Sequence, residues 1–553
     1  MKLQTESTLR TCVEAGWSPK GGPPPDKAIA LPEALHQLSQ PILVLEQEGQ
    51  FIFVPASGSD LVTALIPPHS YRLAGYLPHL PLKNLGDPAF CRDHGLRYAY
   101  VAGGMANGIA SVELVETLAR AGMLGFFGAA GLDIGVIESA IHRLQQNLPT
   151  QSFGLNLIHS PNEPEHEAAT VSLYLHRGIH LAEAAAYLRL TLPLVRYRTA
   201  GITRTADGHV VTPNRIIAKV SRVEVAAQFF APPPEELLNE LVRTRALTQE
   251  QAFMAGTIPM AQDVTAEADS AGHTDNRPLV TLLPTLLCLR DRMQQHHDFA
   301  QPLRVGAAGG LSTPTALAAA FSMGAAYVVT GSINQACVES GSCEMVRELL
   351  AQVEQADTAM APAADMFEMG VKVQVLKRGT MFPMRAAKLY DLYRAHASLE
   401  AIPEADRATL EKQFFRSSLA DTWQSTRTFF LKRDPRQVER AERDPKHKMA
   451  LVFRSYLGLS SRWANAGDRT RAMDFQVWCG PAMGAFNEWA RGTWMEKAAN
   501  RQAAQVAMNL LHGAAYQLRV QTLRSQGVQI PVGLTQCPPL TAEELQKVIK
   551  NDE

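Results

Sequence analysis

Between residues 98 and 330 the chain alternates short apolar runs with helical stretches eight times, and this alternation constrains the fold more than any other feature. The runs cover 98–102, 123–127, 152–158, 179–184, 215–220, 258–265, 303–307 and 326–330. Helical patterns follow near 111–121, 133–146 and 164–176. Strands that return through helices pair in parallel with right-handed crossovers. Eight units over roughly 240 residues is the size of a closed (β/α)8 barrel, the TIM barrel, rather than a doubly wound open sheet. The fold class expected is therefore α/β.

In such a barrel the functional groups sit at the C-terminal ends of the strands. The seventh run ends in Gly309-Gly310 and the eighth in Gly331-Ser332, with Ser312-Thr313-Pro314 opening a helix between them. Paired glycines let backbone N–H groups approach a ligand, and exposed N–H groups favour an anion. Two such turns on neighbouring strands read as a phosphate cradle, while either alone reads equally as a plain tight turn. The first run offers Gly103, Gly104, Met105 and Ala106, small enough for a flat ligand to lie against backbone. The third offers Asn156, an amide that can donate and accept. The fifth offers Lys219 among Ile216, Ile217 and Val220, and the sixth leads to His273 and Asp275. A planar, acceptor-rich ring with a phosphate tail meets this set, and flavin mononucleotide (FMN) is such a ligand. Residue by residue, capping for Asn156, a surface site for Lys219 and a structural role for His273 are the competing readings.

Three segments are expected: a small β-containing subdomain over 1–90, the barrel over 91–365 and a helical domain over 366–553 packed on the barrel. Residues 41–54 read as two strands joined by a turn at Gly49, after a stiff Gly21-Gly22-Pro23-Pro24-Pro25 linker. Five of the six tryptophans fall in the last segment, where core packing is their expected role. The basic residues among 431–449 read as a solvated face, or as a docking surface for an acidic partner. A net charge of −1 gives no general attraction to nucleic acid or to an anionic membrane, so neither is an expected partner. No run of about 18 apolar residues occurs. The seven cysteines show no spacing that suggests zinc, so no metal is expected and a cytoplasmic setting is.

The stretches GGMANGIAS (103–111), AGMLGFFGAAGL (121–132), FGLNLI (153–158), EADSAGHTDNRP (267–278) and GAAGGLSTP (306–314) resemble the PfaD family, as do APAADMFEMG (361–370), QVLKRGTMFP (374–383), LVFRSYLGLS (451–460) and DFQVWCGPAMGAFNEW (474–489). The barrel part is more distantly similar to nitronate monooxygenases. The resemblance implies a trans-acting, FMN-dependent enoyl reductase of polyunsaturated fatty acid or polyketide synthases. NADPH or NADH would be the reductant, and the substrate an enoyl thioester on the phosphopantetheine arm of an acyl carrier protein domain. It implies His273 as proton donor with Asp275 orienting it, and it allows a homodimer. Where relatives carry Gly, this chain has Ala271, which bears on pocket size. A flavin oxygenase of the nitronate monooxygenase type, and a non-catalytic carrier-protein scaffold, are the alternatives.

Overall fold

The computed structural model describes residues 16–17, 28–56, 71–159, 161 and 163–552. The glycine–proline linker lies outside them. The chain divides into two compact units, one of residues 1–85, 314–319 and 507–553, the other of residues 86–313 and 320–506. The first unit thus draws on both ends of the chain, which boundaries at 90 and 365 do not anticipate.

The second unit contains a closed barrel of eight strands: β1 (Tyr100–Ala102), β2 (Leu124–Phe127), β3 (Gly154–Ile158), β4 (Leu181–Ala185), β5 (Arg215–Val220), β6 (Asp263–Glu267), β7 (Arg304–Ala308) and β8 (Val328–Thr330). Every neighbouring pair is parallel, and β8 closes on β1 through Val328↔Tyr100, Val329↔Val101 and Thr330↔Ala102. Seven of the eight strands fall within a residue or two of their apolar runs; β6 does not. Its run begins at 258, yet Met260 and Ala261 donate their N–H groups to Ala231 and Phe229, so this stretch is held by the end of an earlier helix and pairing starts only at Asp263. Small residues make room for large ones inside. A Cβ on Gly306 would sit 2.2 Å from the ring of Tyr327, which stacks on Phe90 at 4.2 Å between centroids.

The barrel floor is an ion cluster. Arg304, first residue of β7, grips Asp263, first residue of β6, through Nε–Oδ1 at 2.6 Å and Nη2–Oδ2 at 3.2 Å. His94 meets Asp263 Oδ2 at 2.8 Å, and Asp93 takes Arg304 Nη1 at 2.7 Å. Burial alone would raise the Asp263 pKa, but His94 and Arg304 hold it below the ordinary carboxylate value.

After the barrel comes an antiparallel hairpin, Thr358–Pro362 with Lys372–Leu376, which the helical expectation for this segment misses. Helices Phe382–Ala395, Leu419–Arg433, Pro435–Arg443 and Pro445–Ala466 follow, the last two each started by an Asp cap and a proline. Trp423, Trp463 and Trp478 pack on the core of this region. The basic stretch is largely compensated at home: Arg436 pairs with Asp434 and Glu165, Arg440 with Asp444, and Lys446 Nζ donates to the carbonyls of Tyr393 and His396. That favours the solvated face over a docking surface.

In the first unit, Ile42–Gln47 and Gln50–Pro55 form the expected hairpin, with Glu48 and Gly49 both at positive φ. Tyr71–Leu77 pairs beside them, and Tyr516, Val520 and Leu523 from helix Ala503–Ser525 complete the core. No helix among the described residues is long and apolar enough to cross a membrane.

Removing one partner of a buried ion cluster leaves the other uncompensated. Asp263→Asn is therefore expected to cost about 3–5 kcal/mol in chemical denaturation at neutral pH. Because the folded pKa of Asp263 is depressed, its contribution is complete above the ordinary carboxylate value and is lost as pH falls through the depressed one. The difference between parent and variant should shrink in acid; a constant difference would refute this account of the floor.

Candidate active site

A cleft of about 1180 Å³, its open mouth included, lies at the C-terminal ends of the strands. Gly103, Gly104, Met105 and Ala106 after β1, Asn156 on β3, Lys219 on β5, Gly309 and Gly310 after β7, and Gly331 and Ser332 after β8 all line it, as does His273 from the loop after β6. Asp275 does not. Its carboxylate is turned to Arg222 Nε at 2.8 Å and Ser221 Oγ at 2.8 Å, so it does not serve as the partner of His273.

That partner is Asp365, from the segment after the barrel: His273 Nε2 lies 3.1 Å from Asp365 Oδ1. Burial alone would lower the pKa of His273, but Asp365 overrides it and raises the imidazole above its ordinary value. The same pairing overrides the burial of Asp365 and lowers its carboxyl. The ring of Trp478 stands 6.5 Å from that of His273, and Trp478, Gly480 and Ala482 line the cleft beside it. One tryptophan expected only in the core is thus also a wall of the site.

The cleft floor is a second charged group. Lys219 Nζ lies 3.4 Å from Glu267 and 3.7 Å from Glu183. Glu183 also accepts the Gly104 N–H at 2.8 Å. Burial opposes charge on Lys219, but the two carboxylates hold its pKa well above the ordinary lysine value. One ammonium cannot balance two buried carboxylates, and burial pushes Glu183 towards holding a proton despite Lys219. Lys219 is therefore not the lone cation that its apolar neighbours in sequence suggest. Glu183, Glu267 and Asp365 are the groups sequence reasoning misses. Glu267 heads the EADSAGH stretch and Glu183 lies near the end of the fourth run, so an acid at a strand end is a usable signal for both; Asp365 lies far from any barrel strand end.

Local geometry explains the glycines. A Cβ on Gly104 would come within 2.6 Å of the Asn156 Cβ, and Gly309 has φ +88° with a Cβ position 2.6 Å from the Ala268 carbonyl carbon. A Cβ on Gly331 would meet no protein atom within 4 Å, so it would project into open cleft. Asn156 Oδ1 accepts the Ala130 N–H at 3.0 Å, which fixes the amide and leaves its Nδ2 end as the donor it can offer a ligand.

The nitronate monooxygenase family model matches residues 92–405. The chain is 39% identical to the enoyl reductase domain of MlnA from Bacillus amyloliquefaciens, covering 80% of this chain and all of that one with a TM-score of 0.76. The chain belongs to the PfaD-type branch of the nitronate monooxygenase family. It is also 47% identical over 451 residues to a polyunsaturated fatty acid synthase polypeptide of Thraustochytrium sp., and 44% identical over 444 residues to polyketide biosynthesis protein PksE of Bacillus subtilis. Each alignment covers 80% of this chain, but only 30% and 58% of those relatives. Residues 396–475 match the inserted helical domain of [acyl-carrier-protein] S-malonyltransferase. In this chain the segment beyond the barrel brings Asp365 and Trp478 to the site.

The His273–Asp365 pair yields a directional test. Asp365→Asn removes the main influence that opposes burial, so the imidazole pKa should fall from its raised value in an NMR titration of the ring. The stabilisation from the raised His273 is complete below the ordinary histidine pKa and lost as pH rises through the folded one. That from the lowered Asp365 is lost only as pH falls through its depressed value. A titration indifferent to the substitution would show that the pair does not control His273.

Proposed function

We propose that this protein is an FMN-dependent enoyl reductase that uses NADPH or NADH to reduce α,β-unsaturated thioesters carried on acyl carrier protein domains. The observation that carries this reading is the meeting of His273, Asp365 and Trp478 over a cleft whose opposite rim is two glycine turns. Enoyl reduction adds a hydride to one carbon and a proton to the next, so the site must both hold a planar redox cofactor and keep a proton ready.

The residues present fit FMN. Gly309-Gly310 and Gly331-Ser332 would take the terminal phosphate, since a Cβ at Gly310 or Gly331 meets no protein atom and backbone can approach it there. Gly103, Gly104, Met105 and Ala106 would lie along the flat ring, Asn156 would bond its polar edge, and Lys219 would sit at its electron-accepting end. Bound FMN would supply hydride transfer from the nicotinamide to the thioester. His273 would hold the proton. Its Nε2 is engaged by Asp365, which leaves Nδ1 as the nitrogen able to donate to a substrate. The raised pKa keeps the imidazole protonated nearer neutrality, as a general acid requires. Trp478 and Gly480 would wall the thioester channel and limit water. Ala271, beside Gly480 with its backbone N 3.4 Å from a Cβ built there, would narrow the same wall.

Purified protein should carry FMN rather than FAD and oxidise NADPH or NADH when given a crotonyl pantetheine thioester. Oxygen consumption with an alkyl nitronate, and none of the thioester activity, would favour an oxygenase instead. His273→Ala should retain flavin and its reduction by nicotinamide, while enoyl turnover falls about 10²-fold or more. Unchanged turnover at saturating substrate would remove His273 from the proton transfer. Gly331→Asp places a carboxylate in the phosphate cradle and should give folded, colourless protein; full flavin binding by that variant would overturn the cradle assignment.

A further inference from the structure

Away from the barrel, the first compact unit gathers three ligand-type side chains that the proposed reaction does not use. His36 ends helix Leu31–His36, His512 lies in helix Ala503–Ser525, and Cys537 follows the turn Val532–Leu534. One ligand atom of each lies within 4.8 Å of the other two. Nδ1 of His36 and Nε2 of His512 are 2.9 Å apart, across 476 positions of sequence. Their surroundings are otherwise a hydrocarbon core that includes Leu35, Ile42, Phe53 and Tyr516. His512 is fully buried and Cys537 nearly so, while His36 keeps partial access to solvent.

His36 Nδ1 and His512 Nε2 face one another, and the ligand atoms of the two histidines and the Cys537 sulfur all lie within 4.8 Å of one another. Two nitrogens and a sulfur converging from three segments are the donor set of a borderline-soft divalent cation.

We propose that His36, His512 and Cys537 form a structural zinc site, with a water as fourth ligand on the partly exposed His36 side. Binding breaks the Cys537 S–H bond, releases that proton to solvent and forms a Zn–S bond, with no change of oxidation state. Glu544 faces the His36 side and favours a cation. Arg519 faces His512 and opposes one, although its guanidinium is spent on the carbonyls of Ala34, Gln40 and Pro78 at 2.6, 2.9 and 3.0 Å. The expected consequence is mechanical: one ion ties helix Leu31–His36 to helix Ala503–Ser525 and to the segment after it.

The test uses the full chain, stripped with a chelator under reducing conditions and titrated with Co²⁺, then Zn²⁺. One equivalent of cobalt should bind with a thiolate-to-cobalt charge-transfer band, and zinc should displace it. Zinc should raise the melting temperature by several degrees, as expected for a ligand that binds only the folded state. Cys537→Ala should abolish both the band and the zinc-dependent rise, and His36→Gln should weaken cobalt binding at least tenfold. If the parent protein shows neither band nor thermal response at about 1 mM metal, far above the affinity range of structural zinc, the site does not exist. A band that persists in Cys537→Ala would place the metal elsewhere and overturn the assignment equally.

Discussion

The hydrogen bonding of Val328–Thr330 to Tyr100–Ala102 closes the sheet, and the site depends on that closure. An open sheet of the same strands would leave the turns after β1 and β8 at opposite edges. Closure puts Gly103-Gly104 next to Gly331-Ser332, with Gly309-Gly310 one strand further, so the glycine turns form one rim. The cost of closing is a crowded interior, and the chain meets it by pairing small with large, Gly306 under Tyr327 and Gly154 against Phe126. It also meets it by bonding the polar groups it buries, as Thr265 does with Tyr327 and Thr330 with Tyr100. The floor is locked by Arg304 and Asp263, the mouth is built from turns, and the two ends can therefore serve different purposes.

Much of this is legible in the sequence because the signals are local. An apolar run, a glycine turn and a helix start lie within about 30 residues of one another, so a strand end and the group it presents can be read together. Lys219 and Asn156 are legible in that way. What cannot be read is whatever two distant segments do jointly. Asp365 is 92 positions from His273, and nothing in the spacing favours it over Asp275, which is two residues away and better placed on paper. Arg222 settles the matter by occupying Asp275. The β6 boundary is obscured for a similar reason: the apolar stretch before Asp263 is genuinely buried, but against the end of a helix rather than in the sheet.

The segment beyond the barrel is more than an appended module. Its hairpin is tied to the mouth through Gln374, which donates to Asp269 Oδ1 at 2.6 Å, and through the bridge between Val375 and Trp478. Asn465 reaches back to the Asn107 carbonyl, and Asn107 Nδ2 to Ser461. The bonds of Gln374, Asn465 and Asn107 fall on the loops after β1 and β6, the two that carry Gly103–Ala106 and His273.

The two charged groups of the site are organised in opposite senses. At the cleft floor, acid exceeds base: one lysine faces two carboxylates, and burial raises the pKa of Glu183 despite Lys219. At the wall, burial lowers the His273 pKa, but the single carboxylate it faces, Asp365, raises it above the ordinary value. A ligand that gains negative charge would therefore be drawn to Lys219 without having to break a simple one-to-one ion pair, because Glu183 can take up a proton as Lys219 turns towards the ligand.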